Sequence, residues 1–327
     1  MENKRILIVG GTGSLGTMLI KKYQTTNKIL VYSRNEHKQV TLASETWLNR
    51  ESVSFMIGDI KDRDSIWDAI ETYKPDVIIN TAALKHVTVC QTDPYESVKV
   101  NIIGHQNLIE VLKRCKHNVE TLIFISTDKA CKPINVYGMC KAISENLYVD
   151  FAKRQNNIKV CLVRYGNVLN SNGSVIPLFK KLLLEGCKFL PITDTRMTRF
   201  LLPLEEAINL IDWTYNNPTS HGKIAIPKIK SFKITDIAKA MIKSVYGDEN
   251  LIPLKVVGIR PGEKLHEEMV SEEEWMKTEE QENYLITTEH LNDEINNYNS
   301  YDSLMDSVDV YDFLKLNNII ESNKVNV

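Results

Sequence analysis

The 327-residue chain has no CxxC pair, no apolar run long enough to span a membrane and almost no excess of charge of either sign. Its six cysteines, Cys90, Cys115, Cys131, Cys140, Cys161 and Cys187, lie far apart. That argues against a zinc ribbon or a disulfide framework and leads us to expect reduced thiols and no bound metal. Forty Lys and Arg stand against forty-two Asp and Glu, for a formal charge of -2, so the basic footprint of a nucleic-acid binder is missing. The opening "MENKRILIVGG" enters a short apolar run directly, without the longer hydrophobic region and small-residue cleavage site of a signal peptide. The expectation is a cytoplasmic protein with no nucleic-acid or membrane partner. No internal repeat is evident.

What remains is an ordinary globular composition, 43% hydrophobic and 25% charged, in a chain long enough for one large domain or two unequal ones. Short aliphatic runs recur at 5–9 (RILIV), 28–32 (KILVY), 52–57 (SVSFMI), 76–80 (DVIIN), 121–126 (TLIFIS) and 159–164 (KVCLVR). Between them lie longer segments with apolar residues at helical spacing, such as "HQNLIEVLKRC" and "KAISENLYVDFAKR". Strands alternating with helices predict an α/β fold, a Rossmann-type doubly wound parallel sheet, over residues 1–166. From Asn167 the pattern breaks into Pro- and Gly-punctuated loops and shorter helices, predicting a smaller substrate-binding domain over 167–270 with some interleaving. Residues 271–327 are polar, rich in Glu and Asn, and read as an extension without a catalytic contribution; "HLNDEINNYNS" within them reads as a surface loop or disordered stretch.

The segment "VGGTGSLG" sets glycines at 10, 13 and 16 between the first strand and the first helix. Such glycines permit a tight turn, close approach of backbone to a pyrophosphate, and tight packing of helix on strand. With a strand before and a helix after, they predict a dinucleotide site rather than a plain turn. The second strand ends in "YSR", giving Ser33 and Arg34 where a carboxylate would select the ribose hydroxyl of NAD. A guanidinium there forks onto a 2′-phosphate, so NADP is favoured over NAD. "GDIKD" sets Asp59 and Ile60 where an adenine edge could be read.

The stretch "STDKACKPINVYGMCK", residues 126–141, carries Thr127, Asp128, Lys129, Tyr137 and Lys141. Tyrosine and lysine four apart share one face if the helix has begun by Tyr137. A phenol with an ordinary pKa of about 10 is a poor base, but a neighbouring ammonium and an oxidised nicotinamide would favour its phenolate. That suits hydride transfer from an alcohol carbon. An acid and an amine beside it add what an elimination of water requires.

Together with "VYSR", "NTAALKHV", "VRYGNV", "PITDTRMTRF" and "GIRPGEKLHE", these motifs resemble the extended short-chain dehydrogenase/reductases over roughly residues 4–270. Within them the chain is most similar to the soluble UDP-N-acetylglucosamine 4,6-dehydratases that invert carbon-5. The resemblance implies an NADP site formed by Gly10, Thr12, Gly13, Ser14, Leu15, Gly16, Ser33, Arg34, Asp59, Ile60, Ala82, Ala83, Tyr137, Lys141 and Val168. Tyr137, supported by Lys141 and Thr127, would deprotonate the sugar's 4-hydroxyl as hydride leaves carbon-4 for NADP. A locally neutral Lys129 would remove the acidified carbon-5 hydrogen, and a protonated Asp128 would donate to the departing 6-hydroxyl, with the two roles shared or reversed. Hydride returning to carbon-6 and a proton on the opposite face of carbon-5 would give a UDP-4-keto-6-deoxy-L-hexosamine, the first step towards a deoxy-amino sugar of surface glycans.

For the substrate, UDP-N-acetylglucosamine, the resemblance implies Lys85 near sugar and cofactor, Asn167 and Ser174 on sugar or phosphate, and Thr195, Arg196 and Arg199 in a nucleotide-sugar loop. It further implies Arg260 as a pyrophosphate clamp and Glu263 as a ribose acceptor. A homo-oligomer is implied too. Cys131 and Cys140 stand where many relatives carry other residues, and neither needs a catalytic role. Tyr137 favours the soluble inverting group over membrane-anchored retaining relatives, which often carry methionine there. The rival readings are a nucleotide-sugar epimerase or reductase of the same fold, which has no need of the Asp128–Lys129 pair, and a non-catalytic NADP-binding regulator, which has no need of Tyr137 and Lys141.

Overall fold

The computed structural model describes residues 1–171 and 173–320. The six aliphatic runs form β1 (Arg5–Val9), β2 (Lys28–Ser33), β3 (Val53–Ile57), β4 (Val77–Asn80), β5 (Thr121–Ile125) and β6 (Lys159–Val163). Later come β7 (Asn167–Val168), β8 (Leu190–Ile192), β9 (Thr198–Leu202), β10 (Ile224–Pro227), β11 (Ser231–Lys233) and β12 (Leu254–Val256). The last are β13 (Glu268–Val270), β14 (Thr278–Glu280), β15 (Tyr284–Thr287) and β16 (Tyr298–Asn299). Nine strands share one sheet in the order β14-β15-β10-β6-β5-β4-β1-β2-β3. From β3 to β10 all neighbours pair in parallel, and β15 and β14 close one edge antiparallel.

Helices cover both faces, so the central strands bury nearly every residue instead of alternating. Leu7, Val9, Ile78, Leu122 and Phe124 pack into the core on one face, and Ile6, Ile8, Val31, Ile79 and Ile123 into the core on the other. The predicted doubly wound parallel sheet is the observed architecture. A third core holds the smaller lobe, where Leu169, Ile176, Phe179, Ile192, Leu201, Phe232 and Ile237 pack together.

The polar C-terminal segment is more deeply built in than its composition suggests. Strands β14 and β15 extend the main sheet, while Val310 and Leu314 of the helix Asp309–Leu316 join the third core. Within the stretch expected as a loop, residues 290–297 are irregular, but β16 pairs with β13 and Ser300 is fully buried.

Arg164, just past β6, is among the largest fully buried side chains. Its guanidinium donates to Glu145 Oε1 at 2.9 Å and Oε2 at 2.7 Å, to Glu274 Oε1 at 2.8 Å and Oε2 at 2.9 Å, and to the Met269 carbonyl at 2.7 Å. Deleting one partner of such a buried network leaves uncompensated charge, at a cost of about 3–5 kcal/mol. Arg164→Leu is therefore expected to lower the free energy of unfolding in urea by about that amount. A loss below about 1 kcal/mol would show that the two glutamates find other partners.

Candidate active site

The polar groups gather at the carboxyl ends of the parallel strands, where ligands bind in open α/β sheets. After β1 the chain turns at Gly10, with φ +81°, and a β-carbon there would lie 2.7 Å from the Ala82 nitrogen. The glycine thus lets the loop touch the end of β4. Gly13 is the N-cap of the helix Ser14–Tyr23 and offers no side-chain cap, and no acidic residue occupies the first turn. Thr12, Ser14, Leu15 and Gly16 complete a helix start whose amide donors are left to an anion.

At the end of β2, Ser33 is buried and its Oγ accepts from Gln39 Nε2 at 3.0 Å, while Arg34 is exposed. Asp59, after β3, takes the Lys61 amide on Oδ1 at 3.0 Å, and its carbonyl accepts from Tyr32 Oη at 3.0 Å. Ile60 is buried against Gly104. Ala82 and Ala83 follow β4, where the Ala82 amide donates to Asn80 Oδ1 at 3.2 Å.

After β5 a short 3-10 turn, Asp128–Ala130, is capped by Thr127. Asp128 is fully buried; its Oδ1 accepts from Thr127 Oγ1 at 2.9 Å and from Lys129 Nζ at 3.0 Å. Lys129 Nζ also donates to Asn167 Oδ1 at 3.1 Å and lies 3.6 Å from Glu267 Oε1. Burial pushes the Asp128 carboxyl above its usual range, only partly countered by Lys129. Burial works against the Lys129 ammonium, but Asp128 and Glu267 outweigh it and hold the lysine more basic than usual. Both carboxylates thus favour the ammonium form of Lys129. The neutral amine expected from the sequence has to be generated by moving its proton.

Asn135 caps the helix Val136–Arg154 through the Gly138 amide at 2.8 Å, so the helix begins directly before Tyr137. A β-carbon on Gly138 would lie 2.2 Å from the Lys129 carbonyl oxygen, which is how glycine lets this helix seat against the Asp128–Lys129 turn. Tyr137 is buried, and burial pushes its hydroxyl up to about 12 despite the opposing charge of Lys129. In the free protein the acidifying charge of Lys129 is outweighed by burial. Lys141 faces elsewhere: its Nζ donates to the Ile125 carbonyl and lies 4.0 Å from the centre of the Phe124 ring. Burial lowers it to about 7.

The residues expected to hold substrate are spread around this centre. Lys85 is exposed in the loop after β4; Asn167 and Val168 form β7, with Asn167 engaged by Lys129. Ser174 caps the helix Val175–Leu184 without a side-chain bond, and its buried Oγ has no partner among the described residues. Thr195 and Arg196 are exposed, and Arg196 is forked onto Asp194 at 2.8 and 3.0 Å. Arg199 departs from the expected loop: it lies in β9, buried, donating to the Thr198 carbonyl at 2.7 Å and standing 3.8 Å from Glu267. Arg260 and Glu263 pair with each other at 3.8 Å.

A nucleotide-binding loop on a doubly wound sheet, with Tyr137 and Lys141 on the helix after β5, defines an extended short-chain dehydrogenase/reductase. The chain belongs to the polysaccharide biosynthesis protein family, whose model matches residues 6–289. It is 44% identical over 295 residues to a UDP-N-acetylglucosamine 4,6-dehydratase (inverting) of Campylobacter jejuni, covering 86% of this chain and 82% of that one. It is 36% identical over 292 residues to a UDP-glucose 4-epimerase of Rickettsia bellii, covering 86% and 82%. Among solved structures, Pen from Bacillus thuringiensis superposes with a TM-score of 0.88 at 29% identity, over 98% of this chain and 99% of that one.

The depressed Lys141 gives a stability signature. Between about 7 and the ordinary lysine value of 10.5 the unfolded chain holds a proton that the folded chain lacks, so stability rises with pH across that window. In cofactor-free protein, the unfolding free energy of wild type relative to Lys141→Met is expected to rise by roughly 3–4 kcal/mol from about pH 7 to 10. A difference independent of pH would show that Lys141 stays charged.

Proposed function

We propose that this protein is an NADP-dependent UDP-N-acetylglucosamine 4,6-dehydratase that inverts carbon-5. The observation that carries this reading is the buried Asp128–Lys129 pair, joined at 3.0 Å and linked through Thr127 to the surroundings of Tyr137. A sugar epimerase or reductase needs a proton acceptor for a hydroxyl, but no acid and amine placed to strip carbon-5 and release water.

The loop residues fit a dinucleotide: an uncapped helix start for the pyrophosphate, and Arg34 at the end of β2 for a 2′-phosphate. NADP, when bound, accepts hydride from carbon-4 and later returns it to carbon-6. Tyr137 accepts the proton of the 4-hydroxyl, and Lys141 supplies the positive charge that makes this possible once it leaves the Ile125 carbonyl. The resulting ketone acidifies carbon-5. Lys129 removes that hydrogen, Asp128 protonates the 6-hydroxyl as water, and a proton delivered to the other face of carbon-5 inverts it. Ser174 at its helix start and the Arg260–Glu263 pair are suited to the UDP end, with Lys85, Asn167, Thr195, Arg196 and Arg199 around the sugar and phosphates. The proposal includes a cytoplasmic homo-oligomer.

Purified protein is expected to convert UDP-N-acetylglucosamine into a 4-keto-6-deoxy product with no added reductant. Run in deuterated water, the reaction should place solvent deuterium on carbon-5 in the L configuration, read by NMR. Absence of deuterium would remove the elimination, and a D configuration would remove the inversion. Lys129→Met should abolish carbon-5 exchange, and substantial turnover in that variant would exclude its role.

Cofactor choice is tested separately. Arg34→Ala should weaken NADP binding at least tenfold, the loss of one charge-assisted phosphate contact, while changing NAD binding by less than about threefold. Equal losses for both cofactors would exclude a 2′-phosphate contact.

A further inference from the structure

Glu267 is the last letter of "GIRPGEKLHE" and has no role in the reading so far. It directly precedes β13, and both of its backbone polar groups are clamped by Ser300: its amide donates to Ser300 Oγ at 2.8 Å and its carbonyl accepts from the Ser300 amide at 2.8 Å. The Ser300 hydroxyl is itself 2.6 Å from Thr198 Oγ1. The Glu267 side chain is 3% exposed; Oε1 lies 3.6 Å from Lys129 Nζ and 3.8 Å from Arg199 Nε. Its Oε2, like Oδ2 of Asp128, is buried and has no hydrogen-bond partner among the described residues. A buried carboxylate kept only partly paired costs stability, so its place beside Lys129 calls for a use.

We propose that Glu267 is a positioning residue for the elimination, a fixed negative charge that keeps one proton on the Asp128–Lys129 pair. This rests on the dehydratase reading above. With one proton to share, the pair has two arrangements: carboxylate with ammonium, or, after transfer along their 3.0 Å bond, carboxylic acid with amine. The second is the one elimination uses. The Lys129 amine takes the proton from carbon-5, the C6–O bond breaks as a carbon-5 to carbon-6 double bond forms, and the Asp128 proton leaves with the 6-hydroxyl as water. The pair returns to carboxylate and ammonium, with its proton count unchanged.

Loss of the shared proton to solvent would leave a base with no acid. Glu267 opposes that loss because its charge raises the proton affinity of Asp128 and of Lys129 alike. Burial alone would raise Glu267 too, but Lys129, Arg199 and Lys264 outweigh it and keep it ionised. Arg199 acts against the Lys129 ammonium, as its like charge requires, and Tyr137 is the remaining titrating neighbour.

The test has an activity arm and a substrate-free arm. In the first, the alkaline limb of the kcat/KM profile for UDP-N-acetylglucosamine should move down by at least one pH unit in Glu267→Gln, with KM within about threefold, and Glu267→Asp should restore it. An unmoved limb, or a loss confined to KM, would overturn the proposal. In the second, free protein carrying 13Cε-lysine is titrated by NMR, with the Lys129 signal assigned by its loss in Lys129→Met. The signal should stay at the ammonium position up to about pH 10.5 in wild type and titrate within that range in Glu267→Gln. Identical behaviour of the two proteins overturns the proposal, as does titration of wild-type Lys129 at or below the ordinary lysine value, a result that needs no folded variant. A wild type that makes no 4-keto-6-deoxy product would instead strike the dehydratase reading, and leaves the titration to decide the charge role of Glu267.

Discussion

The site hangs on one buried cation. Arg164 reaches, from a single guanidinium, Glu145 in the middle of the Tyr137 helix, the Met269 carbonyl in β13 and Glu274 beyond it. Glu145 in turn accepts from Ser126 Oγ at 2.6 Å, at the end of β5 immediately before Thr127. Four pieces of chain are thereby fixed to one another: the end of β5, the end of β6, the helix with the tyrosine and lysine, and the strand that directly follows Glu267. A network with its guanidinium and the Glu145 carboxylate buried favours one arrangement because alternatives strand those charges away from water. Its worth lies in geometry more than in net stability, since a buried ion pair contributes little beyond what a well-packed apolar substitute would.

Burial also sets the chemistry. Asp128, Lys129, Glu267 and Arg199 form a largely buried cluster of two negative and two positive groups held at 3.0 to 3.8 Å, with only Lys129 partly exposed. Because the charges cancel, the cluster can be buried without neutralising its members. The proton it contains stays mobile over a single hydrogen bond. Tyr137 is the opposite case: burial outweighs the charge of Lys129 and pushes its hydroxyl up to about 12 in the free protein. Its activation must come with the cofactor and with Lys141, which here is spent on the Ile125 carbonyl and the Phe124 ring.

The fold was legible because the parallel strands are buried on both faces and so read as unbroken aliphatic runs; each of the first six appears within a residue of its place. The reactive stretch was legible because its groups are neighbours in sequence: Thr127, Asp128 and Lys129 are consecutive, and Tyr137 follows one helix cap later. What escaped were partners brought in from afar. Glu267 stands in an acidic run and is picked out only by its contact with Lys129, 138 positions away in the chain. Ser300 clamps it from a segment that composition marks as a dispensable polar tail. Arg199 was read as a loop residue because "DTRMTRF" is polar, whereas β9 is set by pairing with β7 and β11, which no local pattern records. The charge of Lys129 depends on a second carboxylate, Glu267, that is not visible beside it in the sequence.

These distant partners bear on how one fold divides among reactions. On the proposed reading the loop, the tyrosine and the lysine would serve any redox step at a sugar carbon, and the relatives of this chain include proteins named as epimerases and as dehydratases. Oxidation at carbon-4 already makes the carbon-5 hydrogen acidic, so any such enzyme stands one proton transfer away from elimination. What separates the outcomes is whether an acid and a base can be present together beside carbon-5 at one pH. Two isolated groups achieve that only if their pKa values are pushed past each other; a buried pair sharing one proton achieves it by symmetry of charge. The constraint then falls on retaining that proton, and it is met by a carboxylate too far from Lys129 to take the proton itself and close enough to keep it there.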